Sequence, residues 1–301
     1  MHIPVLIKEV IEYLNPKPNE NFIDATVGQG GHVMEILNRN GPQGKVLGID
    51  WDQKQIENAE QRLKNFGERI ILVYDSYVNL KKVVEEKKFG PISGILLDLG
   101  MSSWQLEESK KGFSFLKDEP LDMRYDLNNN LTAEKIVNEW REEEIDKILA
   151  CYGEEKFSHK IAKKIIEARK IKKIKSTFEL INVIKEAIPT FAKSKSRGLS
   201  IWEKAQIGAR TFQALRIAVN HELDNLTEFL PKALEMLSSH GRLVVISFHS
   251  LEDRIVKNFF KEKLEKEEVN ILTKKPVIGD SEEIKDNPRS RSAKLRAIIK
   301  I

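Results

Sequence analysis

A single cysteine, Cys151, stands in a chain of 301 residues. It has no partner for an internal disulfide or a cysteine metal site, so no redox or metal chemistry is assigned to it and no metal is expected. No run of about 18 apolar residues occurs, which excludes a membrane-spanning helix and a membrane partner. Met1 to Glu12 lacks the basic, apolar, small-residue order of a secretory signal, so a cytoplasmic location is the expectation. No Gly-x-Ser-x-Gly elbow accompanies Ser247-Phe-His-Ser250, so the hydrolase reading of that segment is rejected. Internal repeats and low-complexity tracts are also lacking.

What is present is a balanced composition with unevenly placed charge. Apolar residues make up 41% of the chain, enough for a substantial core in one large or two modest domains. Gly153 to Arg216 carries 16 Lys and Arg against six Glu, and Lys285 to Ile301 carries six against one Asp. The remainder stands at −11, although the whole chain is +4. Such segregation points to a polyanionic partner, because clustered cations displace counterions from phosphates. A solvated helical surface rich in Lys and Glu gives the same count.

Four short apolar segments read as strands: Phe22 to Val27, Lys45 to Ile49, Ile70 to Tyr74 and Ile92 to Leu99. Helical patterns separate most of them; Gln53 to Phe66 places Ile56, Ala59 and Leu63 on one face, with Gly67 as a stop. The order is βαβαβαβ, and the sheet should be parallel. From Thr132 to Asn220 the pattern is helical, and Ser176 followed by Glu179 has capping-box spacing at a helix closed by Pro189. Strand patterns return at Arg242 to Phe248 and at Ala293 to Ile301. The fold class is therefore α/β, a doubly wound, mostly parallel sheet formed by residues 1–104 and 216–301, with an all-α insertion over 105–215.

The first strand runs into Gly28-Gln-Gly30-Gly31-His32. Glycine removes the Cβ atoms that would keep a ligand off the backbone, and Val33, Ile36 and Leu37 announce a helix whose first amides favour a carboxylate or phosphate. The dinucleotide fingerprint needs a small residue where Val33 stands, so a mononucleoside with an anionic arm fits better. Asp50 ends the second strand 22 residues beyond Gly28, where doubly wound folds place an acid for ribose hydroxyls. Asp98 closes the fourth strand at the same crevice, and Asp24, within the first, is read as orienting the glycine loop.

Seven ordered segments then carry a resemblance: Asp24-Ala-Thr-Val-Gly-Gln-Gly-Gly-His32, Leu97-Asp-Leu-Gly-Met-Ser-Ser103, Lys111-Gly-Phe-Ser-Phe115, Pro120-Leu-Asp-Met-Arg-Tyr-Asp126, Arg210-Thr-Phe-Gln-Ala-Leu-Arg-Ile217, Val245-Ile-Ser-Phe-His-Ser-Leu-Glu-Asp-Arg254 and Asn287-Pro-Arg-Ser-Arg-Ser-Ala-Lys-Leu-Arg296. Together they resemble the MraW, or RsmH, family of bacterial S-adenosylmethionine-dependent methyltransferases. That family acts on the N4 amine of a cytidine in the decoding centre of 16S ribosomal RNA. The similarity runs from His2-Ile-Pro-Val to the carboxyl terminus, with two departures: Trp104 where proline usually follows the serines, and Gln206-Ile-Gly-Ala in place of His-Pro-Ala. The resemblance implies a Rossmann-like methyltransferase sheet, S-adenosyl-L-methionine as cofactor, and Gly30, Gly31, His32, Asp50, Tyr77, Asp98 and Gln105 as its contacts. Gly30, Gly31, Asp50 and Asp98 also follow from the sheet argument. Tyr77 would offer a face to adenine, Gln105 an amide to its edge, and His32 a helix-start donor to the methionine carboxylate.

Methyl transfer from a sulfonium to the weakly nucleophilic cytosine amine needs alignment and an acceptor for the amine proton. With Asp98 on the cofactor side, Asp122, Asp126, Ser102 and Ser103 are the amine-side catalytic candidates, Asp122 foremost. Phe113, Phe115 and Tyr125 could stack on a base taken out of its helix. Arg124, Arg210, Arg289 and Arg291 are candidate phosphate contacts, and His249 a contact to base or sugar. The partner is then 16S ribosomal RNA or the small ribosomal subunit, gripped by the helical insertion; a monomer and a homodimer are both left open. Two other readings stand beside this one: a nucleotide-dependent oxidoreductase and a noncatalytic RNA-binding module.

Overall fold

The computed structural model describes residues 4–101, 106, 109–188 and 201–301, with side chains in the last stretch from Gly208 onward. It divides into two compact units, Met1–Gly100 with Leu223–Ile301, and Met101–Glu222. The second boundary falls later than the expected residue 215. The reason is a continuous helix, Ile201–Asn220, whose last residue is bonded into the second unit: Asn220 Nδ2 donates to the Met123 carbonyl at 2.8 Å, and its Oδ1 accepts from the Tyr125 N–H at 2.9 Å.

The first unit is built on seven strands: β1 (Phe22–Asp24), β2 (Val46–Asp50), β3 (Ile70–Tyr74), β4 (Gly94–Asp98), β5 (Arg242–Ser247), β6 (Val269–Ile271) and β7 (Lys294–Lys300). Their order across the sheet is β3-β2-β1-β4-β5-β7-β6. The first five run parallel, and β7 is antiparallel to both of its neighbours. Strands covered on both faces read as apolar runs, which is why six of the seven are legible in the sequence. The sixth is three residues long between charged neighbours and carried no such signal. Expected to reach Val27, β1 instead leaves the ladder after Asp24; single bonds from Ala25 N–H to Leu96 and from Val27 N–H to Ile49 guide it into the glycine turn.

Helices α1 (Ile7–Leu14), α2 (Gly31–Arg39), α3 (Gln53–Leu63) and α4 (Leu80–Lys87) precede the second unit. That unit contains α5 (Ala133–Glu139), α6 (Glu142–Gly153), α7 (Ser158–Ile171), α8 (Thr177–Ala187) and α9 (Ile201–Asn220). The chain returns through α10 (Glu222–Met236), α11 (Ser250–Glu265) and α12 (Ser281–Asp286). On one sheet face Val10, Leu14, Val33, Ile36, Ile56 and Leu63 cover Phe22, Val46, Leu96 and Val244. On the other, Leu80, Val83, Phe229, Ala233, Val256 and Phe260 cover Ile23, Leu47, Ile95 and Leu97. The alternation along each strand divides these two cores. In α3 the expected face, Ile56, Ala59 and Leu63, is the buried one.

In the helical unit Ser176 caps α8 by accepting the Glu179 N–H, as its spacing predicts. The return bond goes one residue further back, from the Lys175 N–H to Glu179 Oε2 at 2.8 Å. Pro189 lies outside the described residues.

Gly94 opens β4 where a Cβ would stand 2.8 Å from the ring of the fully buried Phe22 and 3.1 Å from Leu14. Gly94→Ala should therefore lower unfolding free energy by about 1 to 3 kcal/mol, read as a lower urea midpoint with an unchanged slope.

Candidate active site

Strand order reverses between β1 and β4: β2 and β3 lie to one side, β4 and β5 to the other. The carboxyl ends of strands at such a reversal are where α/β sheets take ligands. In register, Asp24 lies beside Leu96 of β4, Asp50 closes β2, and Asp98 closes β4 beside Ile246.

The turn after β1 is held from both sides. Asp24 Oδ1 accepts the Thr26 N–H at 3.1 Å, orienting the loop as expected. Asp50 Oδ2 accepts the Gly28 N–H at 2.9 Å and Oδ1 the Asp52 N–H at 2.9 Å, and the Trp51 backbone N–H also bonds to this carboxylate. Thr26 Oγ1 accepts the Asp98 N–H at 2.7 Å and ties the end of β4 to the same turn. Gly30 is in the left-handed region at φ 76°, and a Cβ there would stand 2.8 Å from Leu63 Cδ1, so only glycine passes. No side chain caps α2, and its first-turn N–H groups are directed at the crevice end.

His32 is buried, and its ring does something the sequence reading did not anticipate. Nε2 lies 2.9 Å from the Val5 carbonyl oxygen and Nδ1 3.7 Å from Asp98 Oδ2. Any donor role toward a ligand carboxylate therefore falls to its backbone N–H. Tyr77 is 5% exposed, tilted against Trp51 at 5.6 Å and edge-on to Phe229 at 5.3 Å. Trp51, directly after Asp50, and Thr26 are further residues of this site; Trp51 could have been noticed as an aromatic at a strand end.

The electrostatics are those of uncompensated acids. Burial pushes Asp24 up to about 7, against the Thr26 backbone bond and with the charge of Asp50 adding to the rise. Burial likewise pushes Asp50 to about 7, against backbone bonds from Asp52 and Gly28. Asp98 is raised well above the ordinary carboxylate range by burial first, then by Asp24 and by Glu252 of α11. Its Oδ1 has no hydrogen-bond partner among the described residues.

The remaining candidates take other places. Ser102, Ser103, Trp104 and Gln105 lie outside the described residues. In the helical unit, burial would raise the Asp122 carboxyl, but bonds from the Arg124 guanidinium and backbone outweigh it and hold Asp122 below its usual range. That pair is bidentate, Nε to Oδ1 at 2.7 Å and Nη2 to Oδ2 at 2.8 Å. Arg124 Nη1 also donates to the Leu127 and Asn129 carbonyls, so this arginine braces its own turn and is spent as a phosphate contact. Asp126 Oδ1 accepts from both nitrogens of Asn128. Phe113 and Tyr125 are buried and stack on each other at 5.2 Å, and Phe115 packs edge-on to Phe212, so these rings are core and not a platform for a base.

Arg210 and Arg291 are exposed, whereas Arg289 is half-buried and partnered. His249 is the N-cap of α11: its Nδ1 accepts the Glu252 N–H at 3.4 Å, while Glu252 Oε2 accepts the Phe248 and His249 N–H groups. Its side chain is 9% exposed, which leaves little to offer a nucleic acid.

Against known proteins, residues 1–301 match the description of the MraW methylase family. The chain belongs to the MraW methylase family. Relatives named ribosomal RNA small subunit methyltransferase H match it nearly end to end. The Heliobacterium modesticaldum protein is 45% identical, covering 100% of this chain and 98% of that one. Its counterpart from Thermotoga neapolitana is 46% identical over 98% and 95% of the two chains. A third, from a Sulfurihydrogenibium species, is 47% identical over 98% and 97%. The chain is thus a methyltransferase of the S-adenosylmethionine-dependent kind on a mostly parallel, doubly wound sheet. Among the described residues no helix is long and apolar enough to cross a membrane.

Asp24 is 1% exposed with a folded-state pKa near 7 and an unfolded value near 3.8. A raised acid binds its proton more tightly when folded, so its contribution is full below about pH 4 and is lost as pH rises through about 7. Asp24→Asn, which keeps the acceptor for Thr26, should therefore raise the ligand-free melting temperature at pH 8 and leave it nearly unchanged at pH 4. Thermal scans at the two pH values check this; a gain of roughly 1 to 4 kcal/mol at pH 8 is expected.

Proposed function

We propose that this protein methylates small-subunit ribosomal RNA, transferring a methyl group from S-adenosylmethionine to the N4 amine of a cytidine in the decoding centre of 16S RNA. The observation that carries the donor half is the set of acids Asp24, Asp50 and Asp98 around the glycine turn, with no lysine or arginine paired to them among the described residues. Such a crevice favours a cation and opposes the pyrophosphate of a dinucleotide, which removes the oxidoreductase reading. The fit is specific at one point: Asp98 keeps an unsatisfied buried oxygen.

When bound, S-adenosylmethionine supplies a methyl carbon on a positively charged sulfur, open to displacement in line. Asp50 would accept a ribose hydroxyl, and the uncapped start of α2 at Gly30, Gly31 and His32 would donate to the methionine carboxylate. Tyr77, Trp51 and Gln105 would hold the adenine, Tyr77 and Gln105 being contacts that the family resemblance implies. On the amine side both Asp122 oxygens are engaged by Arg124, whereas Asp126 keeps Oδ2 outside its turn bonds. Asp126 is therefore the carboxylate to take the amine proton, with Ser102 and Ser103 orienting the base.

The RNA half rests on the second unit. Helix α7 and the turn after it expose Lys160, Lys163, Lys170 and Lys173, and α9 exposes Arg210. These are the phosphate contacts of this reading in the second unit, and Arg291 is one in the first, in place of Arg124 and His249. Ribosomal RNA as substrate puts the enzyme in the cytoplasm.

Nucleoside mass spectrometry of 16S RNA and of small subunits, each incubated with protein and S-adenosylmethionine, tests the reading. N4-methylcytidine should appear in at least one; unchanged cytidine in both rejects it. Asp126→Asn should lower kcat by roughly 10²-fold or more with donor affinity unchanged. Asp122→Asn should instead lower the melting temperature, because it leaves the Arg124 guanidinium half-satisfied.

A further inference from the structure

The pairing of His32 with Asp98 goes beyond what holding a nucleoside requires. The Val5 carbonyl can only accept, so Nε2 of His32 carries a hydrogen and donates it across 2.9 Å. Nδ1 then lies 3.7 Å from Asp98 Oδ2 and carries a hydrogen of its own only when the ring is an imidazolium. Negative potential around so close a pair favours one further proton within it, on Nδ1 as an imidazolium or on Asp98 as the acid. The neighbourhood retains that proton. Asp24 of β1 and Glu252 of α11 both add negative potential at Asp98, Asp50 of β2 adds to Asp24, and among the described residues no lysine or arginine pairs with any of the three aspartates. At 3.7 Å the contact is electrostatic and is not a closed hydrogen bond, so the proton is held by charge and can be displaced by charge.

We propose that His32 and Asp98 share one proton in the ligand-free protein, and that its displacement makes His32 the positioning residue by which the crevice distinguishes the cationic methyl donor from its uncharged thioether product. A sulfonium lodged beyond the ends of β1 and β4 enters the field of Asp98 and takes the place of the shared proton, which passes to solvent. Once the methyl group has left, the sulfur is neutral, the crevice regains a proton, and the product is held without that attraction. Donor affinity therefore rises with pH while product affinity does not. This inference rests on the proposed donor.

Titration calorimetry of the whole chain with S-adenosylmethionine, and separately with S-adenosylhomocysteine, between pH 6 and 9 in buffers of different ionisation enthalpy counts the protons exchanged. The donor should release up to one proton at the low end of the range, with affinity rising up to about tenfold per pH unit before it levels off. The product should release none and bind with a flat profile. His32→Gln can still donate to the Val5 carbonyl but cannot share the second proton; it should shift the inflection for the donor and change product affinity by one factor at every pH. A purely structural role would weaken both ligands alike and leave the wild-type inflection in place. Equal proton counts for the two ligands, or a His32→Gln profile that parallels wild type, overturns the proposal. If that variant does not fold, the wild-type proton counts decide alone. Failure of both ligands to bind wild-type protein at any pH overturns the donor reading and this inference with it.

Discussion

Acids without a cationic partner at the carboxyl ends of three neighbouring parallel strands are the constraint on which the site depends. Burying one carboxylate without a cation is costly, and Asp24, Asp50 and Asp98 lie together around one turn. The chain relieves part of that cost with backbone N–H groups from Thr26, Gly28 and Asp52. It leaves the rest as protons held at neutral pH. A methylase of this family needs a crevice that welcomes a cation, and the cheapest way to make one is to leave acids without partners inside it. The stability forgone in the ligand-free state is returned when the ligand arrives.

The scaffold around these acids is rigid where they need it. Two apolar layers clamp the strands, and the strand ends are tied laterally: Thr26 to the start of the Asp98 turn, Gly28 to Asp50, His32 to Val5. A carboxylate that is to attract a ligand while denied a cation of its own must be kept from swinging to solvent. These lateral bonds do that without neutralising the charge.

The second unit solves a different problem. Its charged surface is carried by a core that includes Phe113, Tyr125 and Asn220, with the Asp122–Arg124 pair bracing the turn beside it. Residues that look catalytic or RNA-binding in the sequence prove to hold a turn together. An arginine with four N–H groups satisfied by its own loop is a strut, whatever its charge suggests.

The sequence by itself determined the parallel strands, the glycine turn, the strand-end acids and the presence of a helical insertion. Those features follow from local patterning, since a strand buried on both faces reads as a near-continuous apolar run. Family membership was also legible, because seven motifs kept their order. Only the tertiary structure decided which polar groups are spent. Asp122 faces an arginine two residues away, His249 caps a helix, Asn220 binds a loop about a hundred residues distant, and Glu252 reaches the field of Asp98 from another element. Charge and hydrogen-bonding capacity belong to a residue type, but whether they remain available depends on partners brought together by folding.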